Sequence, residues 1–168
     1  DLTGVDLEKA DLRGADLASI DLENAILTGA NLSNNGNTAT DLTGATLTGA
    51  KLSKADLTGA NLAKNGSTVA NLTNADLTGA ILTDAILSEA NLTGANLTKA
   101  NLTGANLTST ILTGANLTGA DLTGATLTNV VISATTNLTS AILVGADLGG
   151  DDLTGVDLEK ADLRGADL

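Results

Sequence analysis

The sequence predicts an all-β repeat fold of very short strands joined at tight corners, and three observations carry that prediction. All 31 leucines fall on one five-residue grid, running from Leu2, Leu7, Leu12 and Leu17 to Leu127, then one residue late from Leu138 through Leu153, Leu158 and Leu163 to Leu168. Of the 34 grid positions only Asn37, Ser67 and Ile132 are not Leu. Two residues earlier the chain usually holds Ala, with Asp or Asn between, as in Ala15-Asp16-Leu17, Ala70-Asn71-Leu72 and Ala115-Asn116-Leu117. A period of five is neither helical nor coiled-coil, so the twelve unbroken leucines from Leu72 to Leu127 would wind an apolar stripe around a helix that could not bury it.

The three residues Ala, Asp/Asn and Leu alternate inward, outward and inward, which is the pattern of a minimal strand. A hydroxyl and often Gly follow, and these turn the corner, Gly supplying a positive φ without a Cβ clash. An apolar residue at fixed spacing with a small apolar partner also excludes a disordered polar chain.

These units, of consensus A(D/N)LXX, resemble the pentapeptide-repeat family over essentially the whole chain. The resemblance implies a right-handed parallel β-helix of quadrilateral section, with four pentapeptides and 20 residues per coil and about eight coils. The Leu and the small residue two before it point inward. At the ordinary inter-strand spacing the rod is ~40 Å long, and residues 1–168 form one solenoid in which each coil buries its core only against its neighbours.

Departures from the grid mark irregular places. Asn35-Gly36-Asn37 and Asn65-Gly66-Ser67 put polar residues at inward positions without losing the five-residue register. Burying an unpaired amide costs roughly 1–3 kcal/mol, so both segments are expected to loop outward as tight turns and are candidate recognition loops. From Thr128 to Thr136 the grid slips by one residue around Val130-Val131-Ile132, which reads as a bulge. Asp151, at an inward position after Gly149-Gly150, marks a distorted coil.

Residues 1–17 recur unchanged at 152–168, including the off-consensus Val5, Glu8, Lys9 and Arg13. Pentad periodicity explains this poorly, since the next self-match, Ala90–Thr98 against Ala100–Thr108, is pure consensus. Residues 1–151 therefore read as one tandem unit and 152–168 as the start of the next, in a natural array or an engineered duplication. With four pentads per coil the unit is expected to make 7.5 coils, hence a ~180° turn and a ~36 Å advance. Leu2, Leu7, Leu12, Leu17, Leu153, Leu158, Leu163 and Leu168 are ordinary repeat residues with no capping helix beside them. They are expected to form end-stacking surfaces, the partner being the protein itself, head to tail, laterally or by covalent continuation.

Counting 20 residues per coil assigns outward residues to faces. Asp1, Asp21 and Asp41 then form one acidic column and Asp56 lies over Asp76. These columns keep rods apart or, on a sharper reading, bind Ca²⁺ weakly. Asn71 over Asn91 and Asn96 over Asn116 form amide ladders. Ile26, Thr28, Thr46, Thr48, Ile86, Thr126 and Thr128 form an uncharged lateral face, superficially like the threonine arrays of ice-binding β-helices. Nine Asn-X-Ser/Thr triplets, among them those at Asn71, Asn91, Asn96, Asn101, Asn106, Asn116 and Asn137, are formal glycosylation acceptors that arise from the repeat itself.

Composition narrows function. The chain lacks Cys and His, and with them zinc, haem and iron–sulfur ligands and disulfides. Without His, Cys or Tyr, acid–base and nucleophilic work falls to carboxylates, Lys and hydroxyls, so an enzyme is not expected and no cofactor is called for. A net charge of -12 disfavours a nucleic-acid partner. No membrane span or signal peptide is evident, and a chain without Met reads as processed or as part of something longer. The expectation is a structural filament, extracellular or at the cell surface. The alternative, which the resemblance supplies, is a cytoplasmic acidic rod that mimics DNA and binds a type II topoisomerase, gyrase. Against it stand the absence of Phe and of a terminal helix. Ice binding by threonines is third.

Overall fold

A computed structural model describes residues 1–168 as a four-sided solenoid of parallel β-bridges. A pentapeptide with Asp or Asn at its outward position satisfies its five backbone N–H groups in a way that accounts for its composition. In the unit around Asn71, the Leu72 N–H donates to the Asn91 carbonyl one coil on (2.7 Å), and the Asn71 N–H donates to the Ala45 carbonyl one coil back (2.9 Å). At the corner the Ala75 N–H closes a turn onto the Leu72 carbonyl (3.0 Å), while the Asn74 N–H reaches the Thr93 carbonyl of the next coil (2.9 Å). The fifth donor, Thr73 N–H, has no backbone partner and donates to Asn71 Oδ1 (3.1 Å), which also accepts the Thr73 hydroxyl (2.6 Å). Asp or Asn suits the outward position because its side-chain oxygen reaches the N–H two residues on, although Ile26, Thr46, Lys51 and Ile81 stand there too. The third residue of each corner turn has positive φ, as type II turns require. Gly takes that place most often, and twelve other residues, among them Asn74 (φ 57) and Lys99 (φ 57), take it too.

Leu and Ala fill the interior. Forty-three buried apolar residues form one continuous cluster from Leu22 to Leu148. Three inward positions hold Thr instead of Ala, and each hydroxyl is bonded to the backbone. Thr110 donates to the Leu87 carbonyl (2.8 Å) and Thr136 to that of Leu112 (2.8 Å), while Thr40 accepts the Gly14 N–H (2.8 Å) and donates to the Ser33 carbonyl (2.9 Å).

Following the bridges gives four faces. The first carries Asp21, Thr46, Asn71, Asn91, Ile111 and Val131; Asp1 joins it through the Leu2 N–H bond to the Asp21 carbonyl. The second carries Asp6, Ile26, Lys51, Asp76, Asn96, Asn116, Asn137 and Asp157. The third carries Asp11, Asn31, Asp56, Ile81, Asn101, Asp121, Ile142 and Asp162, and the fourth Asp16, Asp41, Asn61, Ile86, Asn106, Thr126, Asp147 and Asp167. The step along a face is 20 residues where the coil is regular, 25 across either Asn-Gly segment and 21 across the bulge.

These steps overturn two expectations from simple counting. The unit is not 7.5 coils. Asp6 reaches Asp157, Asp11 reaches Asp162 and Asp16 reaches Asp167, each in seven steps on one face. The 151-residue spacing thus spans seven complete coils, ~34 Å at the inter-strand spacing, with no half-turn. The reason is that each Asn-Gly pentad keeps the grid in sequence while leaving the ladder in space.

Candidate interaction surfaces

The two pentads that leave the ladder are built alike. In the second, Asn65 and Thr68 pair as an antiparallel bridge, Asn65 N–H to Thr68 carbonyl (2.8 Å) and Thr68 N–H to Asn65 carbonyl (2.9 Å), with Gly66 (φ 59) and Ser67 at the tip. In the first, the Asn35 N–H donates to the Thr38 carbonyl (3.0 Å), and Asn35 Oδ1 accepts the N–H groups of Asn37 (3.1 Å) and Thr38 (2.9 Å). Both are two-residue hairpins with Gly at the first central position, where a positive φ matches the strand twist. They project outward, as the polar inward positions predicted. The first leaves the corner between the third and fourth faces and the second the corner between the fourth and first, so they flank the fourth face in successive coils. Each lies across a corner glycine of the preceding coil. A Cβ at Gly14 would stand 2.3 Å from Asn35 Nδ2, and one at Gly44 would stand 3.1 Å from Asn65 Cβ.

The third irregularity is the bulge. Val131 is exposed, Ile132 packs partly on the core, and the Thr136 N–H closes a turn onto the Ser133 carbonyl (2.8 Å), returning the chain to the ladder at Asn137. Above it Asp151 is half-buried with Oδ2 unpartnered. Loss of water raises its pKa, while backbone groups of Asn129 and Val130 pull the other way.

The candidate end-stacking leucines occupy the two terminal coils. Leu2, Leu7, Leu12 and Leu17, like Leu153, Leu158 and Leu163, are partly buried against the core, whereas Leu168 is 64% exposed. The candidate lateral residues are not brought together. Ile26 and Thr28 belong to the second face, Thr46 and Thr48 to the first, and Ile86, Thr126 and Thr128 to the fourth. The hairpins displace the 20-residue register, and for the same reason Asp41 stacks on Asp16 rather than on Asp21, and Asp56 on Ile81 rather than Asp76. Asp76 instead lies beside Lys51.

Asn96 does stack on Asn116, with Thr hydroxyls as relays. Asn116 Nδ2 donates to Thr98 Oγ1 (3.1 Å), which donates to Asn96 Oδ1 (2.6 Å); Asn96 Nδ2 donates to Thr78 Oγ1 (2.9 Å), which donates to Asp76 Oδ1 (2.6 Å). Asn71 lies over Asn91 as counted. In Asn71, Asn91, Asn96, Asn101, Asn106, Asn116 and Asn137 the side-chain oxygen is held by the N–H two residues on.

One surface pattern escaped the sequence reading. Lys9, Lys54 and Lys99 stand at one corner in alternate coils, each followed in the next coil by a glycine, Gly29, Gly79 and Gly119, and each lysine's Cγ lies 3.6–3.9 Å from the Cβ position of that glycine. Its signal, a constant 45-residue spacing, means nothing until the 25-residue coils are known.

Comparison with known proteins agrees with this architecture. A family model described as pentapeptide repeats matches eight copies, over residues 1–34, 38–64, 70–108, 90–129 and 136–168. The chain belongs to the pentapeptide-repeat family. It is therefore a right-handed quadrilateral β-helix. The segments outside the matches, 35–37, 65–69 and 130–135, are the hairpins and the bulge, where the pentapeptide-repeat pattern gives way.

Among solved structures the chain is 38% identical to HetL, a pentapeptide repeat protein involved in heterocyst differentiation regulation in Nostoc sp. strain PCC 7120, covering 96% of this chain and 71% of that one with a TM-score of 0.32. A pentapeptide repeat protein of the cyanobacterium Cyanothece 51142 is 31% identical over 76% of this chain and 86% of that one, with a TM-score of 0.39. QnrB1, a plasmid-mediated fluoroquinolone resistance protein, is 25% identical over 96% and 83%, with a TM-score of 0.44. A search of curated proteins returns no match.

Proposed function

We propose that this chain is a structural β-solenoid that continues end to end into a longer rod, coil stacking on coil through the β-ladder and the Leu core. One observation carries the reading: the 17-residue segment recurs after seven whole coils, with Asp157, Asp162 and Asp167 on the faces of Asp6, Asp11 and Asp16. A repeat that returns to its own faces adds length without turning the surface pattern. The two hairpins and the one-residue bulge supply the eleven residues by which 151 exceeds seven regular coils. In this reading residues 1–151 are the unit, and the mechanism is mechanical continuity rather than catalysis.

Small-angle scattering from chains carrying one and two such units tests it. The two-unit chain should be ~34 Å longer at constant cross-section. An unchanged length with a larger cross-section would show that units pack side by side, and the reading would fail.

A second reading, an acidic rod that binds gyrase, is favoured by the net charge of -12 and by the hairpins beside the fourth face. Gyrase retained on the immobilised chain, and lost when residues 35–39 are removed, would promote it over the first.

A further inference from the structure

An asparagine side chain is labile when the backbone nitrogen after it is free to attack its carbonyl carbon. A Cβ on the next residue hinders that attack, and a hydrogen bond from the next N–H holds the nitrogen away. Only Asn35 and Asn65 precede Gly in this chain, and Gly has no Cβ to interfere. In the ladder the following nitrogen is engaged as well: after Asn71 the Leu72 N–H donates to the Asn91 carbonyl (2.7 Å), and Leu92, Leu97 and Leu102 donate likewise after Asn91, Asn96 and Asn101. The hairpin tips lack that restraint. The Gly66 N–H makes no hydrogen bond within the protein, and the Gly36 N–H makes only a long one to Asn34 Oδ1 (3.4 Å). Asn35, Gly36, Asn65 and Gly66 are all exposed.

The two tips differ in how the asparagine side chain is held. Asn35 Oδ1 accepts the N–H groups of Asn37 (3.1 Å) and Thr38 (2.9 Å), and its Nδ2 packs over Gly14. Asn65 Oδ1 has no such partner, and its Nδ2 has one long contact, 3.5 Å to Ser19 Oγ. Turning the carboxamide toward the next nitrogen therefore breaks two side-chain hydrogen bonds at Asn35. At Asn65 it breaks at most one good bond, from the Thr68 N–H to the Asn65 carbonyl (2.9 Å).

We propose that Asn65-Gly66 is a spontaneous modification site, at which the hairpin tip deamidates with water as the only co-reactant. Solvent hydroxide takes the Gly66 N–H proton, and the nitrogen attacks Asn65 Cγ. The new N–Cγ bond closes a succinimide ring as the Cγ–Nδ2 bond breaks and ammonia leaves, carrying a proton from water. Water then opens the ring. Cleavage of the N–Cγ bond gives aspartate, and cleavage of the bond between the nitrogen and the backbone carbonyl carbon gives isoaspartate. Nothing is oxidised or reduced; amide and water become carboxylate and ammonia. The neutral tip gains a negative charge, and the isoaspartate route also displaces the carbonyl that Thr68 bonds. The change stops at the tip, because Lys64 pairs with Glu89 (2.9 Å) at the hairpin's base, and Leu62 and Ala70 on either side are fully buried in the core.

The test is peptide mass spectrometry on the 168-residue chain held folded at pH 8, with a parallel sample unfolded in urea. Trypsin cuts after Lys51 and Lys54, so the two sites fall on different peptides. In the folded chain conversion of amide to acid should run about fivefold faster at Asn65 than at Asn35, the worth of one hydrogen bond. The ladder asparagines should stay unconverted. In urea neither side chain is held, and the two sites should convert alike. Asn65→Ser should remove the early conversion from its peptide, and the melting temperature of the wild type should not change as conversion proceeds. Equal rates in the folded chain, or a faster Asn35, overturn the proposal, as does a folded chain in which neither site converts while both do in urea. Early conversion that persists in Asn65→Ser belongs to another asparagine and also overturns it. A melting temperature that falls with conversion would show that the change does not stop at the tip.

Discussion

Inward and outward positions differ most sharply at adjacent residues. Leu97 is fully buried in the Leu layer, and Asn96 beside it faces outward and donates to Thr78. Leu97→Asp leaves a charge without a partner and should cost about 4 kcal/mol or more. Asn96→Asp loses one hydrogen bond and should cost ~0.5–1.5 kcal/mol. Denaturant titration of both checks the ranking, and comparable losses would contradict the inward assignment. Gly94 tests corner geometry: its φ is 66, and an added Cβ would lie 2.4 Å from Asn74 Oδ1. Gly94→Ala should cost ~1–2 kcal/mol from the left-handed backbone and the clash. Adding Asn74→Gly removes the clashing side chain, so the double variant should recover part of that loss in a double-mutant cycle.

Titration at Asp151 runs opposite to the usual ion-paired carboxylate. Burial raises its pKa above 3.8, so the folded state holds the proton more tightly than the unfolded chain does. Stability is then lost as pH rises from the ordinary carboxylate value through the raised one. Asp151→Asn should raise Tm at pH 7 and bring no gain at pH 3; equal shifts at both would show that ionisation is not the cause. Asp11 has the reverse sign. Arg13 lowers its pKa to about 2, so its small exposed contribution is present above the ordinary value and fades as pH falls toward 2.

At the scale of elements, a hairpin and a ladder pentad have the same length and opposite consequences. Removing residues 35–39 joins Asn34 to Thr40 and leaves a regular 20-residue coil with Thr40 still inward. Stability should change by less than about 1 kcal/mol, since closing a short loop contributes little. Removing the ladder pentad 95–99 takes out Asn96, which stands between Asp76 and Asn116, shifts every later residue by one face and should abolish the native register above it. Comparison of melting curves separates the two, and collapse on hairpin removal would mean that the hairpin is integral to the coil.

The same contrast explains what could be read without coordinates. Leu at five-residue spacing with Ala two before it specified the strand, its inward face and the corner, because burial imposes that pattern residue by residue. The polar residues at Asn37 and Ser67 likewise revealed the hairpins, since neither could be buried unpaired. The face assignments of Ile26, Thr46, Asp41 and Asp56 were not legible. An ejected pentad preserves the count along the chain while subtracting from the count around the coil, and only the bridges distinguish the two. The Lys9, Lys54 and Lys99 corner was hidden for the same reason.

For the whole molecule the central claim is that the 151-residue spacing equals seven complete coils. Electron microscopy with helical reconstruction of a chain carrying several such units tests it most directly, because the paired hairpins mark one side of the rod. The account predicts hairpin pairs recurring every ~34 Å on the same side, apart from the gradual twist of the stack. Hairpins alternating between opposite sides at ~36 Å would restore the half-turn of 7.5 coils and contradict it.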